Sequence, residues 1–276
     1  MGRAVASVAG DASAKLTLWP WPPVEPMPEL PEAERARALI EERALRRTIV
    51  AVDDSDAYVC RPHAPGEIAA TLEDHCLTAA HRRGKMLWVE TGGPVLGLHL
   101  GMAGRIVMDA VPAPRDWDRF SLEFEDGGRL ALQDKRRLSR AVLEPDLSRV
   151  GPDAAEATRA EFRDRVGHGT APVKARLLDQ STIAGVGNLL ADETLWQARL
   201  DPRRRAGELS ESELDGLRRA LRAATRSAIR RGGVHTGDLI GERHRGGHCP
   251  RCGAELARAK VGGRTTWWCP REQAGD

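Results

Sequence analysis

Across residues 48–144 the apolar positions come in short runs broken by Gly, Pro and Asp: 48–53, 57–61, 86–90, 95–100, 105–109, 119–125, 129–133 and 140–144. Each has the length of a strand, and many such runs in succession predict an antiparallel sandwich or barrel. Ahead of them, Ala36, Leu39, Ile40 and Ala44 recur at helical spacing with charges opposite, which predicts a first helix over 31–46. Beyond residue 156 the helical period returns, predicting helices over 159–166, 172–180, 188–198 and 211–231, and then a small knuckle with a hairpin over 248–272. The pattern therefore predicts an α+β chain. Its parts are an N-terminal β-sandwich with a leading helix (27–150), a helical unit (151–247) and a hairpin unit (248–276), with the first joint near 145–152. Residues 1–26, ending in Trp-Pro-Trp-Pro-Pro-Val-Glu-Pro, follow no period; they read as a disordered leader or as the product of an unused upstream start codon.

A length of 276 residues suits one large or two ordinary domains. The net charge of +2 conceals an asymmetry. Residues 199–276 hold 17 Arg/Lys against 10 Asp/Glu, so the basic surplus sits in the last third while residues 1–198 are net acidic. A phosphate-bearing partner for that last third accounts for this, and so does a solvated, arginine-rich helix face. Five cysteines, three of them clustered at the C-terminus, do not make a secreted disulfide framework and point to a reducing compartment. The most apolar stretch, 86–104, is interrupted by Glu90 and His99, so no membrane span is expected. The short apolar run at 4–10 is broken too soon for a signal peptide.

The candidate chemistry begins at 27–32, Met-Pro-Glu-Leu-Pro-Glu. If the chain starts at Met27 and that residue is removed, Pro28 becomes a secondary amine flanked by Glu29 and Glu32. An α-amino group titrates at about 7.7–8.0, so an attacking, uncharged fraction exists at neutral pH and can form an imine with a sugar carbon. The same residues also suit a plain helix start. Ile183-Ala-Gly-Val-Gly-Asn188 lies between two helical segments, as a phosphate-binding turn or merely a connection, with Asn188 a ligand or an N-cap. Cys249-x2-Cys252 followed by Cys269 has zinc-ribbon spacing, but position 272 is Glu272, so the fourth ligand is that carboxylate, His244 or His248, or no metal is held. Arg264 falls in the hairpin turn of that knuckle as a solvated residue or a phosphate clamp. Lys85 heads an apolar strand; His99, Met102 and Arg136 are ambiguous in isolation, Met102 reading as core.

In this order the pieces resemble the formamidopyrimidine-DNA glycosylase and endonuclease VIII family of base-excision repair enzymes, over 27–273. The resemblance implies a β-sandwich catalytic domain, a helix-two-turns-helix domain and a zinc-finger hairpin. It implies Pro28 as nucleophile, with Glu29 as the acid that assists base departure, the strand-leading Lys85 as a third catalytic residue, and Glu32, on a further acidic position, among the DNA-binding residues. Asn188 and Arg264 become phosphate ligands, with His99 among the DNA-binding positions, and Met102, Arg136 and Leu138 fill the gap left by an extruded base. Zinc on Cys249, Cys252, Cys269 and Glu272, a damaged or abasic duplex as partner, a monomer and a bacterial cytoplasmic location complete the expectation. The reaction it implies is glycosylase and lyase work through one imine, with successive elimination of the 3′ and 5′ phosphates.

Three departures qualify it. Leu138 stands where the formamidopyrimidine branch often has phenylalanine, a smaller apolar wedge. Only fifteen residues, 234–248, separate the Arg231-Gly-Gly turn from Cys249, where the 8-oxoguanine-specific branch usually has a longer loop. A more open pocket is then expected, favouring oxidised pyrimidines, formamidopyrimidines or abasic sites. With residues 1–26 attached, Pro28 is an amide, so Met27 is expected to be the working start. The competing readings are a non-catalytic damaged-DNA-binding protein and a zinc-ribbon protein of transcription or RNA metabolism.

Overall fold

The computed structural model describes residues 27–109 and 116–274. The expected leader, 1–26, lies outside the described residues. Helix α1 (Leu30–Arg43) is the first element among the described residues, with Pro31 in its first turn and Glu32 at the positive end of its dipole. Two four-stranded antiparallel sheets come next. One has the order β1 (Ile49–Asp53), β6 (Asp118–Phe124), β7 (Arg129–Gln133), β5 (Arg105–Asp109); the other runs β2 (Ala79–Arg83), β3 (Met86–Glu90), β4 (Val95–His99), β8 (Arg140–Leu143). Leu87, Val89, Leu96 and Leu98 of one sheet and Phe120, Leu122, Leu130 and Leu132 of the other share a single apolar core with Ala36 and Ile40 of α1. The sandwich expected from the strand-length runs is therefore present.

Two local expectations fail. Residues 57–61 are turns, not a strand, because Asp56 accepts the N–H groups of Tyr58 and Val59 at 3.1 Å and bends the chain back. Conversely, Ala-Ala-His-Arg-Arg at 79–83 carries no strand pattern yet forms β2, since antiparallel pairing with β3 satisfies its backbone. A short helix α2 (Glu67–Leu72) covers the sandwich with Ile68 and Leu72.

Helices α3 (Arg159–Val166), α4 (Val173–Leu178), α5 (Asn188–Gln197) and α6 (Glu211–Arg231) surround a second core. Thr158 and Ser210 cap α3 and α6 by accepting the N–H of Glu161 and Glu213. At the end of α6, Gly232 and Gly233 take positive φ, 109° and 142°, and turn the chain back toward α1. A hairpin of β9 (Ala257–Val261) and β10 (Arg264–Trp268) encloses a third, small cluster with Trp196 of α5. Among the described residues no helix is long and apolar enough to cross a membrane.

What positions the site is α1. Its Leu30 is buried in the helical core while Ala33, Ala36 and Ile40, further along, belong to the sandwich core. One helix thus seals both units, and the residues just before it, Pro28 and Glu29, sit on the seam.

Candidate active site

Glu29 is 1 % exposed, and its carboxylate accepts the N–H groups of Gly187 (2.9 Å), Leu189 (2.8 Å) and Leu190 (3.0 Å) at the start of α5. The glycine-rich turn is built around this contact. Leu30 N–H donates to Gly185 O at 3.0 Å, Gly185 has φ 107°, and a Cβ there would meet the Leu30 side chain at 2.6 Å. Of the turn's own N–H groups, Gly187 donates to Glu29, and Ile183, Ala184 and Gly185 donate to Asp179 O, Pro152 O and Gln180 Oε1, so these four are held within the protein instead of facing outward. Burial pushes the Glu29 carboxyl up to about 7, against the pull of Lys85 and of the Leu189 and Leu190 N–H groups.

Glu32 stands one turn further along. Its Oε2 accepts Glu29 N–H at 3.0 Å and its Oε1 accepts Val234 N–H at 2.7 Å, so it ties the first helix to the turn after α6. Burial raises this carboxyl as well. Pro28, Glu32 and Arg35 line a hollow of about 530 Å³ with Leu100, Ile106 and His235. The hollow combines apolar wall with a charged rim, which suits a planar polar ring.

Lys85 enters from the turn between β2 and β3. Gly84 N–H donates to Asp153 at 2.6 Å, and a Cβ at Gly84 would lie 2.6 Å from that of Ala184, so this turn presses directly on the one preceding α5. Burial pulls the Lys85 ammonium below its ordinary value, while Glu29 and Glu32 hold it up and Arg264 adds to the lowering. His99 is lowered by burial and then by Lys85, and its Nδ1 accepts Gly101 N–H at 3.0 Å, which leaves Nε2 as the donor of the neutral ring. Lys85 is thus brought within electrostatic reach of Glu29, Glu32, His99 and Arg264, the five residues coming from four separate parts of the chain.

Met102 is 36 % exposed at the tip of the turn after β4, not core. Arg136 and Leu138 lie in the β7–β8 loop. Buried Asp134 accepts N–H from Arg136 (2.8 Å), Leu138 (2.7 Å) and Ser139 (2.8 Å), and so shapes that loop. A Cβ at Gly101 would collide with Leu138 O, so the two turns carrying Met102 and Leu138 are in direct contact.

Asn188 is the first residue of α5, with Gly187 in the N-cap position. Its Oδ1 accepts from Lys174 Nζ at 2.7 Å and its Nδ2 donates to Thr265 O at 3.1 Å. Lys174 was not singled out in the sequence. It is fully buried, donates also to Thr266 Oγ1 at 2.7 Å and pairs with buried Asp192 at 2.6 Å. Asp192 in turn receives Arg243 at 2.8 Å. This network fixes Asn188 against the hairpin that presents Arg264 at its exposed turn. A charged side chain inside an otherwise apolar helical pattern was the available signal, but only burial shows that it is paired.

The ligand atoms of Cys249, Cys252 and Cys269 lie within 4.8 Å of one another. Trp196 Nε1 donates to Cys249 Sγ and Glu272 N–H to Cys269 Sγ, each at 3.3 Å. Burial pushes the Cys249 thiol up, but the Trp196 and backbone donors more than offset it and bring it to about 7. Three close sulfurs, two of which accept an N–H, fit a zinc ion, although burial pushes the Cys269 thiol up to about 11. Glu272 departs from the expected set: its carboxylate faces Arg199 (3.4 Å) and Arg251 (4.0 Å), and neither it nor His244 or His248 joins the sulfur cluster among the described residues.

Residues 27–141 match the formamidopyrimidine-DNA glycosylase N-terminal domain, 150–238 the H2TH domain of the same enzymes, and 246–271 a zinc finger found in FPG and IleRS. A formamidopyrimidine-DNA glycosylase of Chloroflexus aggregans is 33 % identical over 270 residues, covering 88 % of this chain and 98 % of the relative. One from Roseiflexus sp. is 33 % identical over 272 residues, covering 90 % and 100 %. Among solved structures, Lactococcus lactis Fpg with abasic-site DNA superposes with a TM-score of 0.79 at 29 % identity. MutM with carbocyclic 8-oxo-G DNA superposes at 0.80 and 30 %; in both cases 90 % of this chain and 100 % of the other are covered. The seam carrying Pro28 and Glu29, the turn that receives Glu29 and the three-sulfur hairpin are thus laid out on a shared framework, and the chain belongs to the formamidopyrimidine-DNA glycosylase family.

Proposed function

We propose that this base-excision-repair DNA glycosylase acts through the nitrogen of Pro28, with Glu29 as its acid. The observation that carries the reading is the Glu29 carboxyl, buried on the α5 N-terminus with a pKa about 7 and adjacent in the chain to Pro28. The free secondary amine attacks deoxyribose C1′, and the damaged base leaves with the bonding pair and a proton from Glu29. Ring opening gives the iminium; loss of the 2′ hydrogen expels the 3′ phosphate, and a second elimination expels the 5′ phosphate. Lys85, beside Glu29, is assigned to the catalytic set, His99, Asn188 and Arg264 to the phosphates flanking the lesion, and Met102, Arg136 and Leu138 to the gap in the stack. Zinc on the three cysteines braces the hairpin that presents Arg264.

The chemistry needs a free Pro28 nitrogen, and in a chain that retains Met27 that nitrogen is an amide. Such a chain would bind damaged DNA without excising a base. We therefore place the working start at Met27, followed by its removal, in a bacterial cytoplasm that keeps the thiols reduced. Residues 234–248 support the open-pocket reading. They fold into two tight turns, with Leu239 N–H held by Glu193 at 2.9 Å and Arg243 by Asp192, rather than standing free above the hollow. Oxidised pyrimidines, formamidopyrimidines and abasic sites are the assigned substrates.

Borohydride reduction of the chain begun at Pro28 on abasic duplex gives a covalent adduct, and the same chain retaining Met27 gives none. No adduct from the free-proline form rejects the mechanism. A cleavage panel in which 8-oxoguanine opposite cytosine is strongly preferred rejects the substrate assignment.

A further inference from the structure

Arg137 sits between Arg136 and Leu138, two of the residues assigned to the gap in the stack, so any part it plays in base extrusion rests on that assignment. Its φ is 55°, in the left-handed region that non-glycine residues seldom adopt without something to hold them there. Arg137 Nε donates to Asp56 Oδ2 at 2.9 Å and Nη2 to Asp56 Oδ1 at 2.7 Å, a two-pronged pair that fixes the plane of the guanidinium. The Asp56 side chain is only 10 % exposed, and its Oδ1 also accepts Tyr58 and Val59 N–H. The carboxylate is therefore anchored to its own turn.

The loop is thus gripped from two directions. Asp134 holds the backbone of Arg136, Leu138 and Ser139 from inside, and Asp56, 81 residues away in sequence, draws Arg137 outward from the other flank. With Arg137 drawn to one side, its neighbours Arg136 and Leu138 are left to occupy the gap. Gly101 lets the Met102 turn lie on Leu138 O, so all three gap-filling side chains depend on the conformation of this loop.

We infer that Asp56 is a positioning residue: through Arg137 it sets the β7–β8 loop in its inserting conformation before DNA arrives, so that base extrusion does not wait on ordering of the loop. Preorganisation of this kind acts on the rate of insertion rather than on imine chemistry. The opposite arrangement, in which Asp56 merely withholds Arg137 from a DNA phosphate, would make its loss strengthen duplex binding.

The test uses Asp56→Asn, Arg137→Gln and the double variant in the full chain, with a duplex carrying 2-aminopurine next to a stable abasic analogue, whose fluorescence rises on unstacking. Each single variant slows the rise about tenfold, and the double is no slower than either single, as expected for two groups acting as one. Trapping of single-stranded abasic DNA by the Pro28-begun form stays unchanged, since nothing has to be extruded there. Arg137→Gln alters an exposed side chain and carries the prediction alone if Asp56→Asn unfolds. Fluorescence traces that superimpose on the parent, additive losses in the double variant, or tighter duplex binding by Asp56→Asn each overturn the inference. A parent chain that responds in fluorescence but never traps would instead defeat the Pro28 mechanism and leave this inference standing.

Discussion

The N–H of Gly187 donates to the Glu29 carboxylate at 2.9 Å, and a Cβ at Gly187 would overlap Glu29 Cδ. The φ of Gly187 is −118°, which any residue adopts, so glycine is required there for room alone. Gly187→Ala forces Glu29 off the α5 N-terminus. We expect a loss of about 1–3 kcal/mol in stability from the overpacked contact. We also expect a fall in single-turnover base excision of about a hundredfold, from displacement of the acid. Denaturant melts and rapid-quench kinetics on the same preparation check both, and a variant with parental kinetics would remove Glu29 from the acid role.

The Glu29 carboxyl, raised by burial to about 7, is protonated below that value and ionised above it. As a proton donor it loses effect as pH rises through about 7, whereas the Pro28 amine gains its attacking form toward about 7.7–8.0. Excision therefore peaks close to neutrality, and Glu29→Gln abolishes the Glu29-dependent limb. The stability consequence has a definite sign. The folded chain keeps a proton that the unfolded chain releases near the ordinary glutamate value of 4.5, so unfolding free energy declines between about 4.5 and about 7 as pH rises. The decline is on the order of 3 kcal/mol. Urea titrations of the parent and Glu29→Gln across that interval measure it, and equal slopes for the two would refute the raised pKa.

Lys174→Met leaves Asp192 buried with Arg243 and the Trp267 N–H as its remaining partners, and leaves Asn188 Oδ1 and Thr266 Oγ1 without the ammonium they share. Removing one partner of a buried pair costs about 3–5 kcal/mol; Arg243 places the expected loss at the low end of that range. Abasic-duplex affinity should fall alongside stability because the helix N-terminus and hairpin are no longer held in register. Thermal melts and anisotropy titrations decide it; unchanged affinity in a folded variant would show that the network serves stability alone.

Metal content separates the three sulfurs from Glu272. Cys249→Ala should reduce zinc from about one ion per chain to none. Glu272→Gln should leave it unaltered, since the carboxylate faces Arg199 and Arg251 instead. Atomic absorption on dialysed protein reads both, and zinc lost from the glutamine variant would restore Glu272 to the ligand set.

Periodicity alone carried much of the architecture, because strands and helices bury one face and the spacing of apolar residues records which. The spans of α3 and α6 and the sandwich were legible in that way. The turn at 57–61 and strand β2 were not, since an Asp56 cap and a β3 partner decided them and neither leaves a local pattern. The cysteine spacing was similarly readable, while the direction taken by the Glu272 carboxylate depended on two arginines from other segments.

The order of the motifs along the chain determined the family, and residue chemistry named Pro28, Glu29 and the three thiols. Only the fold decided that the Gly187 N–H of the glycine-rich turn is taken by Glu29, that Lys174 joins helix to hairpin, and that Asp56 reaches Arg137. The reason is physical. Sequence records each residue's capacity to donate, accept or be buried, but a donor's actual partner, and the dielectric that sets a carboxyl at about 7, arise only when distant segments pack together.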